Sequence, residues 1–169
     1  MSTTIRSAEL EITRAFEAPR ELVFKAYSEA ERLAQWWGPA GLMWVKSELD
    51  FRPGGYFHYC MKTPDGREMW GRFDYIEIAE PDRIVFTNAF SDASGSVVRA
   101  PFAPDWPLEV MNVVTFSADS EKTTTITLRA WPHNGSEAEH KAFGHMQPSL
   151  QQGFAGTFDQ LANYLAKLS

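Results

Sequence analysis

The sequence predicts an α+β domain in which a strongly curved antiparallel sheet of about seven strands wraps around one long C-terminal helix. Three observations lead there. Six strand-like runs follow one another between Met43 and Trp131, most of them joined by tight turns. Short turns suit antiparallel hairpins, because parallel pairs need long crossovers. Near the C-terminus, Leu150, Phe154, Phe158, Leu161 and Leu165 recur at spacings of four, four, three and four, the signature of a helix with one apolar face. Finally, that face needs a partner, and the concave side of the sheet is the one large apolar surface left to cover it.

The elements follow in order. Leu10, Ile12 and Phe16 alternate with Glu9, Glu11, Thr13 and Glu17, a period of two that reads as a half-buried first strand. Arg14 falls on its apolar parity and is expected to snorkel or to find an acidic partner. Pro19 opens a helix, where its missing N–H costs nothing, and Leu22, Val23 and Ala26 form the apolar face. Ser28 and Glu31 have the S-x-x-E spacing of a capping box, which predicts a second short helix through Leu33 and Trp36. Trp37-Gly38-Pro39 stops it, since the residue before proline avoids the α region.

The meander comes next. Met43, Val45, Leu49 and Phe51 are read as the apolar face of its first strand, opposite Trp44, Lys46, Glu48 and Asp50. Arg52-Pro53-Gly54-Gly55 and Thr63-Pro64-Asp65-Gly66 are turns flanking a strand from Tyr56 to Lys62. Further strands are predicted over residues 68–78, 83–90, 110–117 and 124–131. Residues 91–108 hold Gly95, Pro101, Pro104 and Pro107, so this stretch reads as a long loop. Loops of that length in a small domain usually carry function. This one is expected to pack over a cavity mouth or into a homodimer contact through Phe102 and Trp106. Pro148 is expected in the first turn of the long helix, or at a kink after a shorter helix through Phe143 and Met146.

Composition narrows the function classes. The 169 residues fit a single domain, with residues 1–8 read as a flexible terminus. Lys plus Arg number 16 against 22 Asp plus Glu, giving a net charge of −6. That balance speaks against a nucleic-acid partner and against an anionic membrane surface. No apolar run reaches membrane-span length, so no membrane insertion is expected. Cys60 is the one cysteine, and no secretory signal follows Met1, so a cytoplasmic, reducing setting is the natural expectation. Aromatic residues reach 14%, and such large flat side chains suit a big core, a ligand cavity, or both.

Several segments together resemble a known family. They are Thr13-Arg14-Ala15-Phe16-Glu17-Ala18-Pro19, Trp36-Trp37-Gly38-Pro39, Arg52-Pro53-Gly54-Gly55, Pro64-Asp65-Gly66, Pro81-Asp82-Arg83 and Gly153-Phe154-x-Gly156-Thr157-x-Asp159-x-Leu161. In this order they resemble the activator of heat-shock protein 90 ATPase homologue-like family of the START-like (Bet v 1-like, polyketide cyclase/lipid transport) superfamily. The resemblance spans nearly the whole chain and implies a helix-grip fold. It also implies a range of functions. Members of the superfamily bind lipids, hormones and polyketides, some catalyse cyclisation or aromatisation, and the eukaryotic namesakes bind a chaperone.

The residues themselves offer few catalytic signatures. His58, His133, His140 and His145 have no metal-ligand spacing, and HExxH and paired cysteines are missing, so no metal site and no cofactor are expected. Cys60 reads as a small buried hydrophobe. His58, Asp74 and Asn88 lie on three predicted strands and could converge for acid/base chemistry of the cyclase or hydratase kind, or stand on a solvated face. The leading expectation is non-enzymatic binding of a small apolar or aromatic molecule between sheet and helix. The residues expected to line that site are Trp36, Trp37, Phe57, Tyr59, Met61, Phe86, Asn88 and Phe154. A chaperone partner is the third expectation.

Overall fold

The computed structural model describes residues 9–38, 41–100 and 103–168; residues 1–8, Pro39, Pro101 and Phe102, on which some expectations fell, lie outside the described residues. The strands are β1 (Leu10–Phe16), β2 (Met43–Asp50), β3 (Tyr56–Lys62), β4 (Glu68–Ala79), β5 (Arg83–Ser91), β6 (Val97–Val98), β7 (Val110–Ala118) and β8 (Thr124–Pro132). The helices are α1 (Arg20–Ser28), α2 (Ala30–Trp36), α3 (Glu137–His145) and α4 (Gln147–Leu168). One antiparallel sheet runs β1-β8-β7-β5-β4-β3-β2, and β6 adds to β5. Strands β1 and β2 are therefore at opposite edges, and α1 and α2 carry the chain from one edge to the other.

The core lies on the concave face. Phe16, Phe57, Phe73, Phe86, Phe116 and Phe158 are each at most 2% exposed. Phe73 stacks on Phe86 with ring centroids 4.4 Å apart, and Phe16 meets Phe158 edge-on at 5.7 Å. A smaller cluster of Leu10, Val110, Ala130 and Phe143 forms under α3, with Trp106, Leu150 and Phe154 against it.

Three local expectations are corrected. Ser28 does not cap α2. It ends α1, its hydroxyl donates to the Lys25 carbonyl, and Glu29 takes the cap position with its carboxylate held by Arg32 at 2.6 Å. On β2 the inward residue is Trp44, while Met43 and Val45 are 68% and 47% exposed. The cause is a bulge between Trp44 and Lys46, which reverses the parity of everything before it. The stretch 91–108 is not strandless. Asp92 accepts hydrogen bonds from the Ser94 and Ser96 amides, folding a turn that brings Val97 and Val98 back onto Ser91 and Phe90.

The long helix is held at three heights. Gln147 and Gln151 donate to the Glu9 and Glu11 carbonyls of β1. Asp159 pairs with Arg14 at 2.6 Å, the acidic partner that an arginine on this parity requires. Gln160 donates to the carbonyls of Trp36 and Gly38 at 3.1 and 2.7 Å. Between these ties Phe158, Leu161 and Leu165 are buried against the sheet, and Asp159, Asn163 and Lys167 face water. Truncating a buried phenylalanine loses its transfer energy and leaves a void, at a cost of about 3–5 kcal/mol. In chemical denaturation Phe158→Ala should lose that much, while Lys167→Ala should stay within ~0.5 kcal/mol of the parent chain.

Candidate functional site

The two clusters are bridged by Ile12 and Phe154, and residues of both line a cavity of about 360 Å³. Its size falls within the range of about 300–1,000 Å³ common to small-molecule pockets. The sheet supplies Tyr59, Met61, Gly71, Asn88, Val110 and Asn112. The helical side supplies Trp37, Phe143, Leu150, Phe154 and Thr157, and the loop before β7 supplies Trp106 and Pro107. Met146, Ser149 and Gly153, all exposed, mark the rim at the start of α4.

Strand parity decides which sequence candidates reach it. Trp37, Tyr59, Met61, Asn88 and Phe154 line the cavity. Trp36, Phe57 and Phe86 do not: they are at most 2% exposed and sealed in the larger cluster. The Trp36 indole donates to the Ala26 carbonyl at 3.0 Å, so it anchors α2 to α1 instead. Trp106 closes one wall, its ring 5.5 Å from that of Phe143.

His58 and Asp74 stand on the opposite face. His58 stacks on Trp70 at 5.1 Å, and its Nε2 lies 3.1 Å from the Asp92 carbonyl. Asp74 is held by the Arg72 guanidinium at 2.9 Å. One of the three proposed acid/base residues, Asn88, therefore reaches the cavity, and an amide does not titrate there. Cys60 also faces away from the cavity; it is buried, and burial pushes its thiol up. Among the described residues no three metal-ligating side chains converge.

The polar groups inside are few. Asn112, missed by sequence reasoning, is 3% exposed and donates from Nδ2 to the Asn88 Oδ1 and to the Val110 carbonyl, both at 3.1 Å. Its signal was present: an asparagine at the inward parity between Val110 and Val114. Thr157 donates to the Gly38 carbonyl at 3.3 Å. Burial raises the Tyr59 phenol above its ordinary value, and a hydrogen bond with Trp37 opposes that shift. Gly71 is required here, since a Cβ at this position would lie 2.4 Å from the Tyr59 hydroxyl.

Comparison with known proteins gives the family. The family profile of activator of Hsp90 ATPase homolog 1-like protein matches residues 17–166. Among solved structures, a protein of Mycobacterium smegmatis is 25% identical, with a TM-score of 0.75 over 95% of this chain and 92% of its own. A protein of Arthrobacter aurescens is 21% identical, with a TM-score of 0.76 over 96% and 88%. The AHSA1 protein of Silicibacter pomeroyi is 20% identical, with a TM-score of 0.71 over 95% and 99%. No curated protein matches.

The loop wall is tied down electrostatically. Arg99 pairs with Glu139 of α3 and also donates to the Trp106 carbonyl at 3.2 Å. Glu139 completes a capping box with Ser136. The Arg99 guanidinium holds the Glu139 carboxyl below the usual carboxylate range. A carboxyl depressed in the folded state stabilises above its unfolded pKa of roughly 4.3, and that stability is lost as pH falls through the folded value. Arg99 is half-exposed, so the tie contributes no more than about 1 kcal/mol. Arg99→Ala should melt about 2–4 °C below the parent at pH 7. The difference should narrow as pH falls through the lowered Glu139 value and the carboxyl is neutralised.

Proposed function

This chain belongs to the activator of Hsp90 ATPase homolog 1-like family, and from that premise we propose that it binds a small apolar or aromatic molecule, without transforming it, in the cavity between sheet and α4. The observation that carries this reading is the cavity's lining. About 360 Å³ of space is walled mainly by aromatic and aliphatic groups, and among the described residues no Asp, Glu, Lys, Arg or His lines it. A void of that kind costs the fold packing energy at every wall atom that lacks a neighbour. A ligand would restore those contacts and stabilise the folded chain by mass action. Among the described lining residues the one titratable side chain is the Tyr59 phenol, which burial holds above its ordinary value, and that favours binding over acid/base catalysis.

The membrane is a poor alternative home for such a ligand site, since no helix among the described residues is long and apolar enough to cross one. The lone buried thiol suits a reducing compartment, and we place the protein in the cytoplasm.

Native mass spectrometry of the purified protein should find a small-molecule adduct that is lost on denaturation. The neutral fluorophore N-phenyl-1-naphthylamine should bind the emptied protein. Val110→Trp, which projects an indole into the cavity, should stay folded and abolish both signals. An unliganded mass together with no fluorophore binding by the parent chain would refute the reading.

A further inference from the structure

We propose that the cavity selects a neutral molecule with a hydrogen-bond acceptor on its apolar body, a carbonyl above all, and that the Asn88 amide and the Tyr59 hydroxyl receive that acceptor together. The inference rests on the cavity being a ligand site. It goes further by naming the ligand's charge and polar group.

The orientation of the Asn88 amide follows from its neighbour. Both hydrogens of Asn112 Nδ2 are committed, one to the Val110 carbonyl and one to Asn88, each at 3.1 Å. Turning Asn112 over would set its amide oxygen against the Val110 carbonyl, two acceptors face to face. Asn112 therefore presents nitrogen, and Asn88 must answer with oxygen. The Asn88 NH₂ is then left over, with no partner among the described residues, on a side chain that lines the cavity. Asn88 is fixed as a donor.

Tyr59 supplies the second donor by a related logic. An indole can only donate, so Trp37 cannot take the Tyr59 proton. Among the described residues no hydrogen bond donated by the Tyr59 hydroxyl is found, and Tyr59 lines the cavity. Because Gly71 has no side chain, the Tyr59 ring lies across β4, with its hydroxyl over Gly71. Gly71 is opposite Phe90 on β5, and Asn88 is two residues before Phe90 on the same face. The phenol thus points toward the strand that carries Asn88, and both groups look into the same space.

Two unspent donors call for an acceptor. A carbonyl oxygen has two lone pairs and can take both. A carboxylate also offers acceptors, but among the described residues no cationic side chain lines the cavity to meet its charge, and leaving water uncompensated is costly. A bare hydrocarbon would leave both donors unmatched.

Three probes of one skeleton test this: tetralin, 1-tetralone and tetralin-1-carboxylate, titrated by isothermal calorimetry against the ligand-free chain. The ketone should bind about tenfold tighter than the hydrocarbon, as one or two good hydrogen bonds in a buried site allow. The carboxylate should bind weakest. The ketone is better hydrated than tetralin, so a preference for it cannot come from hydrophobicity. Asn88→Asp, nearly the same shape but without the donor, and Tyr59→Phe, which only removes an oxygen, should each erase most of the tenfold preference for ketone over tetralin. Near-UV circular dichroism checks each fold, and if Asn88→Asp is unfolded, Tyr59→Phe decides alone. Equal affinities for ketone and hydrocarbon would overturn the donor pair while leaving the ligand site standing. Tightest binding by the carboxylate would overturn the neutral ligand. Failure of all three to bind would remove the ligand site itself, and this inference with it.

Discussion

One helix cannot fill the concavity of an eight-stranded curved sheet, and the rest of this structure follows from how that shortfall is distributed. The C-terminal half of α4 buries Phe158 and Leu161 to 0% exposure. Its N-terminal half, from Leu150 to Phe154, faces the cavity instead. Density inside a folded protein is near that of an organic crystal, so an unfilled volume of this size is a feature that the chain must hold open. It is held open by rigid walls: the rings of Phe57, Phe73 and Phe86 behind it, the first pair edge-on and the second stacked, and the α3 cluster beside it.

The same constraint explains what the family-marking residues do. Most of them hold the grip rather than touch the cavity. Arg14 and Asp159, from the first and last motifs, pair across 145 positions of sequence. Gly38, in the double-tryptophan motif, adopts φ near +100° and offers its carbonyl to both Thr157 and Gln160 of α4. These contacts fix the helix over the sheet. The groups that would read a ligand, Asn88, Asn112, Tyr59 and Trp106, lie outside those motifs.

This division also decides what could be read before any coordinates. The apolar stripe of α4, the hairpin turns and the order of strands were legible because each is a local pattern with a fixed period. Arg14 was legible as an arginine that would snorkel or find an acid; the structure gives it Asp159, which could not be named. Parity on β2 was not, because a bulge of one residue at Val45 leaves no mark in a stretch where both alternating sets, Met43 and Val45 or Trp44, are apolar. Trp36, Phe57 and Phe86 were expected in the cavity lining and are in the core. Residues lining a void and residues filling a core obey the same hydrophobic pattern, and only the packing between elements separates them. Asn112 was overlooked for a related reason: its meaning comes from Asn88, 24 positions away.

The central claim, that the unfilled half of the grip is where a ligand lives, is tested most directly by methyl NMR of the chain with 1-tetralone added. Intermolecular NOEs should connect the ligand to the methyls of Met61, Val110 and Leu150, which line the cavity. Those of Ile126 and Leu165, buried in the packed half, should show none. NOEs to the exposed methyls of Met43 and Val45 instead, or a ligand that contacts no cavity methyl at all, would contradict it.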